Sequence, residues 1–154
     1  MSPYASYAGT CWRAVLLGDE GRVLDGTERA GRYNRLGQRT LYMSGSQTGV
    51  AAAMARYGDV ARTLFRLHVE AEPLVDLRDP DACAALMIDP SCAKEDWIAA
   101  LDRDEEPSSW LVADQVRSTG AIGLIDGSRR APGEWHLVLF DWNKTGKALV
   151  TVER

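Results

Sequence analysis

Residues 30–45 read AGRYNRLGQRTLYMSG, and Arg29, Arg32, Arg35 and Arg39 crowd into and just before this glycine-punctuated stretch. A guanidinium offers a planar fork of donors that matches phosphate oxygens, and it stays charged at any working pH. A glycine beside it, as in Gly31-Arg32, lets the backbone come close to a ligand. Tyr33 and Tyr42 add aromatic faces suited to a flat heterocycle. The same residues also fit a solvated surface over two core tyrosines, so this stretch alone leaves both readings open.

A second stretch, GAIGLIDGSRR at 120–130, reads as a strand ending in Gly127-Ser128-Arg129. A serine freed by a neighbouring glycine can turn its hydroxyl toward a ligand, or can close a turn. His68 and His136 both fall within apolar strand-like runs, which favours structural roles and gives a Ser-His-Asp hydrolase little support. Cys11, Cys83 and Cys92 are odd in number, widely spaced and form no C-x-x-C pair. They indicate neither a disulfide framework nor a zinc site.

The elements that must position these groups follow from periodicity. TCWRAVLL at 10–17 predicts a strand closed by Gly18-Asp19-Glu20-Gly21, and the next residues, to about Arg39, predict a long loop. A short strand at 40–43 leads to Ser46, placed to cap a helix over 47–57 that stops at Gly58. In LFRLHVEA at 64–71, Phe65, Leu67, Val69 and Ala71 alternate with Arg66, His68 and Glu70, the mark of a half-buried strand. A separate extended piece is expected at 74–77, after Pro73. Helices are expected from a cap at Asp79 or Asp81 through Leu86, near 94–101, and at 108–117 with Gly120 closing it. AIGLIDGS, EWHLVLFD and KALVTVE predict three further strands. Helices thus interrupt a largely antiparallel set of strands in an α+β fold.

At 154 residues the chain fits one domain, residues 1–154, able to bury a core without disulfides or metals. With 45% hydrophobic and 26% charged residues it has the make-up of a folded soluble protein, without repeats or low-complexity tracts. A net charge of −4 argues against general affinity for nucleic acid. MSPYASYAGT lacks the pattern of a secretory leader, and no run approaches the roughly 20 apolar residues that span a bilayer, so no membrane contact and a cytoplasmic location are expected.

Taken in order, WR near the start, GRYN, LYMSGS heading an alanine-rich helix, and GAIGLIDGSRR followed by WHLVLF resemble the RES domain. The resemblance runs from about Cys11 to Phe140. That family is named for an arginine, a glutamate and a serine, and supplies the toxin half of many RES–Xre toxin–antitoxin pairs. It implies a compact relative of the ADP-ribosyltransferase fold that takes NAD+ as substrate and breaks its nicotinamide–ribose bond without a metal. ADP-ribose then passes to water, to phosphate or to a protein acceptor. By position Arg32 matches the family arginine, Tyr33 the aromatic after it, Tyr42 the tyrosine of the short strand and Ser128 the serine. The implied partner is a cognate Xre-type antitoxin covering the cleft. Trp97, Ile98, Leu101 and Trp110 are candidates for that interface, with core packing the commoner fate of such residues.

The glutamate position falls on Ala53, and neither neighbour is a carboxylate. Either a glutamate has been replaced to obtain a protein whose activity would deplete NAD+, or the natural protein lacks it and either works slowly or recruits another acid, with Asp59, Glu70 and Asp126 as candidates. The departure keeps a second class of function in view: a catalytically silent binding module for an antitoxin or an NAD-like ligand. An RNA-cutting toxin is the weakest reading, because the chain is acidic and its histidines lack an evident catalytic setting.

Overall fold

The computed structural model describes residues 2–153; Met1 and Arg154, the ends of the expected domain, lie outside the described residues. Six strands, β1 (Ala5–Leu16), β2 (Leu41–Ser44), β3 (Arg62–Asp76), β4 (Gly123–Gly127), β5 (Trp135–Leu139) and β6 (Leu149–Val152), are interspersed with helices α1 (Gln47–Met54), α2 (Pro80–Ala85), α3 (Trp97–Asp102) and α4 (Ser108–Ser118). The sheet order is β1-β2-β5-β4-β3-β6, and β1 also pairs with β3, so five strands close into a ring with β6 beside β3. Among the named strands β3–β4 is the parallel pair. Its connection, residues 77–122, carries α2, α3 and α4, as a parallel crossover requires. The α+β, largely antiparallel architecture expected from the sequence is the one observed.

Alternation along β2, β5 and β4 sorts two cores. Leu41, Met43, Ile125, Leu137 and Leu139 face Cys11, Leu67 and Val69 of β1 and β3 inside the ring. On the opposite face Leu124 and Val138 pack with Val112, Ala113 and Val116 of α4 and with Tyr33 and partly buried Tyr42. Two of the functional candidates, Tyr33 and Tyr42, belong to this second face.

Four boundaries differ notably from the sequence reading. β1 begins at Ala5 because Tyr7 pairs opposite Ala71 and packs edge-on against Trp135, with ring centroids 5.1 Å apart. β3 runs unbroken through Pro73, joining the two expected pieces. Tyr7 lies opposite Ala71 and Ala5 opposite Leu74, so β3 carries an extra residue where proline lacks an N–H to give to the ladder. The helix expected over 94–101 is split instead into a 3-10 turn (Pro90–Lys94) and α3. The Asp96 carboxylate accepts from the Ile98 and Ala99 amides, and that cap holds residue 96 extended. The caps at Ser46 and Asp79 form as expected. α1 ends at Met54, three residues before the expected end, because 55–57 tighten into a 3-10 turn before Gly58 at φ 72°.

β4 sits close against β5 at Gly123, where an added Cβ would lie 2.3 Å from the Val138 carbonyl oxygen. Gly123→Ala is expected to cost about 1–3 kcal/mol, through a backbone shift in a packed sheet. Gly21→Ala, with open space at its Cβ, should stay within about 0.5 kcal/mol of the parent. Urea unfolding of both variants checks the contrast.

Candidate active site

Gly31 and Asn34 bridge across a tight turn, with Arg32 and Tyr33 at its tip. A Cβ on Gly31 would sit 2.7 Å from Asn34 Oδ1 and 2.8 Å from Tyr42 Oη. The glycine therefore makes room for the Tyr42 phenol, a role for Gly31 that the sequence reading did not include. Asn34 is 1% exposed and fully engaged: Nδ2 donates to the carbonyls of Arg29, Arg35 and Gln38, and Oδ1 accepts from Tyr42 Oη at 2.6 Å. Tyr42 Oη in turn accepts the Tyr33 amide at 3.0 Å.

α4 fastens the outer side of the turn. The Gly31 carbonyl accepts from Trp110 Nε1 at 2.7 Å, the Arg32 carbonyl from Ser109 Oγ, and the Tyr33 carbonyl from Arg117 Nη2 at 3.3 Å. Trp110, a candidate for a partner interface, spends its indole N–H here, and Trp97, Ile98 and Leu101 are partly buried.

The four loop arginines have separate fates. Arg35 forms ion pairs with Asp114 and Glu106 and lies over Trp110, and Arg39 donates to the Asp25 carbonyl and covers Trp142. Arg29 is exposed. Arg32 turns inward, its Nη1 donating to the carbonyls of Ala93 at 3.2 Å and Glu95 at 3.1 Å. Arg129 Nη2 donates to the same Ala93 oxygen. The turn carrying Arg32 therefore meets the strand end carrying Ser128 and Arg129, some hundred residues away along the chain.

Ser128 Oγ accepts the Ala131 amide at 3.2 Å, and its hydroxyl hydrogen has no acceptor among the described residues. Tyr33 is 2% exposed, and its Oη donates to the Asp126 carboxylate. Its ring belongs to the second core, leaving Tyr42 as the aromatic with surface to offer. Burial, and next the Asp126 charge, push the Tyr33 phenol well above its ordinary range. Burial also pushes the Tyr42 phenol up. Both therefore stay neutral hydrogen-bond donors at working pH.

Asp126, His136 and Ser44 stand opposite one another across β4, β5 and β2. Ser44 Oγ lies 2.8 Å from His136 Nδ1. Burial lowers the proton affinity of His136, Arg32 lowers it further, and Asp126 and Glu134 oppose them, so the ring is held toward its neutral form. Ser44 is 4% exposed and contacts the wrong ring nitrogen for a hydrolase triad.

Ala53 lies in the last turn of α1, partly buried. Arg56, three residues on, and Arg32 both help hold the Asp96 carboxyl below its usual range, although the Ala99 amide it caps does most of this. Of the alternative acids, Asp126 joins the cluster of Tyr33 and His136, Asp59 is exposed in a loop, and Glu70 lies on β3 beside His68 at 3.5 Å. A groove of about 770 Å3, lined by Trp12, Glu20, Leu64, Phe65 and Glu153 among others, contains none of the candidate residues.

Sequence reasoning passed over Asn34, Arg129 and the α4 donors, and set His136 aside. The signal for His136 was parity: residues 42 and 44, 136 and 138, and 124 and 126 share one face once the three strands are paired. Among the described residues there is no cluster suited to a metal ion, and no helix is long and apolar enough to cross a membrane.

No curated protein matches the chain in sequence. Among solved structures, a chain of the M. tuberculosis MbcT-MbcA toxin-antitoxin complex superposes with a TM-score of 0.63 at 14% identity, covering 97% of this chain and 86% of that one. The family model of the RES domain matches residues 10–153, almost the whole chain and all of the run in which the arginine turn, the short strand and the serine follow one another, and the chain belongs to the RES domain family.

Proposed function

We propose that this protein is the toxin of a toxin–antitoxin pair and that it breaks the nicotinamide–ribose bond of NAD+, passing ADP-ribose to water, phosphate or a protein acceptor. The observation that carries the reading is the meeting of the Arg32 turn with the Ser128 strand end at the Ala93 carbonyl. Arg32 has no carboxylate partner among the described residues, so its charge is available to an anion. In this reading Arg32 holds the phosphates or the adjoining ribose, Tyr42 lies against a ring, and Ser128 donates to the nicotinamide side. Tyr33 acts from behind, setting the turn and orienting Asp126. A substrate held in one pose gains by orientation and by fixed dipoles around the developing charge.

The fold shared with a chain of a toxin–antitoxin complex supports an antitoxin partner, with the Xre type implied by the family resemblance. The acidic chain fits a toxin that acts on a coenzyme in the cytoplasm rather than on nucleic acid. Purified protein mixed with NAD+ should release free nicotinamide. Intact NAD+ after incubation with the chain and with its Ala53→Glu variant overturns the enzyme reading.

Ala53 itself favours a second reading, the silent binding module, since α1 contains no carboxylate. Tight NAD+ binding by calorimetry that disappears in Arg32→Ala, with no turnover even after Ala53→Glu, selects that module.

A further inference from the structure

The guanidinium groups of Arg32 and Arg129 converge on one carbonyl oxygen, that of Ala93, with no carboxylate pairing either of them among the described residues. Arg35, Arg66, Arg78 and Arg103 each meet an Asp or Glu, whereas Arg32 and Arg129, like Arg13 and Arg39, donate to backbone carbonyls. A guanidinium has five N–H donors, and the protein accepts from only one nitrogen of each of these two. The other nitrogens of Arg32 are not shut away, because among the described residues Arg117 Nη1 is the buried side-chain nitrogen without a partner, and Arg129 is itself exposed. Burial, followed by the charge of Arg32, lowers the proton affinity of Arg129, with Tyr33, Asp126 and Asp96 opposing them.

We infer that Arg129 acts with Arg32 as a two-pronged clamp on the diphosphate of the bound dinucleotide, each guanidinium taking one phosphate group. This rests on the NAD+ reading for the identity of the dinucleotide, but the clamp itself is a property of the two side chains. Two adjacent forks match two linked phosphates, whereas a lone phosphate engages both only by straddling them. Arg129 leaves from an exposed turn, so it can reorient toward a ligand without disturbing the core.

The test is calorimetry with NAD+, inorganic pyrophosphate and nicotinamide riboside, which lacks phosphate. The proteins are the parent chain, Arg129→Ala, Arg129→Lys and Arg130→Ala, each checked for native-like melting. Arg129→Ala is expected to weaken NAD+ and pyrophosphate by about tenfold or more while leaving the riboside unchanged. Arg129→Lys should recover part of that loss, because it restores a charge without the fork. Arg130→Ala removes the same charge from the neighbouring exposed position and should match the parent. Equal binding of NAD+ and pyrophosphate by the parent and Arg129→Ala overturns the clamp. So does an equal loss in Arg130→Ala, or a parent chain that binds neither ligand. Nicotinamide release with binding indifferent to Arg129 leaves the enzyme reading standing and removes the clamp. Arg129-dependent pyrophosphate binding without nicotinamide release does the reverse.

Discussion

Ala53→Glu is expected to raise the rate of nicotinamide release by a factor on the order of 10² to 10³. Cleaving an N-glycosidic bond builds positive charge on the ribose, and a carboxylate near the sugar hydroxyls stabilises that oxocarbenium-like state more than the ground state. Position 53 suits the new side chain. It is partly buried in the last turn of α1, three residues before Arg56. A glutamate there has the Arg56 cation three residues on and costs little in helix propensity. Ala52→Glu turns the same carboxylate about 100° around the helix and should give no comparable gain. Initial rates of nicotinamide formation at saturating NAD+ decide the matter. If the two variants are equally active, position 53 has no special relation to the ribose. The chain's existing carboxylate in the cluster, Asp126, sets the alternative. A small gain from Ala53→Glu together with a collapse of the parent rate in Asp126→Asn identifies Asp126 as the acid already in use.

What the sequence revealed and what it hid divide along a physical line. Local chemistry was legible: Phe65, Leu67, Val69 and Ala71 alternate because a strand has period two, and Ser46 and Asp79 cap helices because they accept first-turn amides. The Asp96 cap was hidden inside the helix expected near 94–101, since a cap and a helix-interior residue look alike until the Ile98 and Ala99 amides are seen to point at it. Long-range pairing was hidden. Pro73 reads as a strand breaker, and only the bulge opposite Tyr7 and Ala5 shows why β3 continues through it.

The site divides the same way. Arg32, Tyr42 and Ser128 stood out as chemically capable types in a family order. The parts that position them depend on contacts between distant segments: Ser109, Trp110 and Arg117 of α4 hold three successive carbonyls of the turn, and Ala93 receives both arginines. The opening puzzle, an acidic chain with four arginines around one loop, resolves into different uses. Arg35 and Arg39 secure the loop to α4 and to the Trp142 corner, which leaves the turn rigid enough for Arg32 to be aimed. Rigidity of that kind is what lets a cation meet a ligand without first losing conformational entropy.

Tyr33→Ala is expected to destabilise the fold by about 3–5 kcal/mol, the range for deleting a buried aromatic side chain. The residue is 2% exposed and ties the turn to β4 through the Asp126 carboxylate. Its loss opens a cavity in the second core, removes the donor that faces Asp126 and frees the turn that aims Arg32, so NAD+ binding should weaken along with stability. Tyr33→Phe separates these effects. It keeps the ring and removes the hydroxyl, costing about 1.5–3 kcal/mol for a hydrogen bond to a charged acceptor. The pH dependence supplies an independent check. Burial and Asp126 raise the Tyr33 pKa in the folded protein, so above the ordinary phenol value near 10 the unfolded chain loses this proton while the folded chain keeps it. The native state then binds more protons than the unfolded state, and stability falls as pH rises. Tyr7 and Cys11, each pushed up to about 12 chiefly by burial, contribute in the same direction and remain in the variant. Urea unfolding between about pH 8 and 11 should therefore show a shallower alkaline decline in Tyr33→Phe than in the parent. Identical slopes mean that Tyr33 reaches solvent and ionises in the native protein. A Tyr33→Ala cost below about 1 kcal/mol means that α4 and Asn34 hold the turn without it.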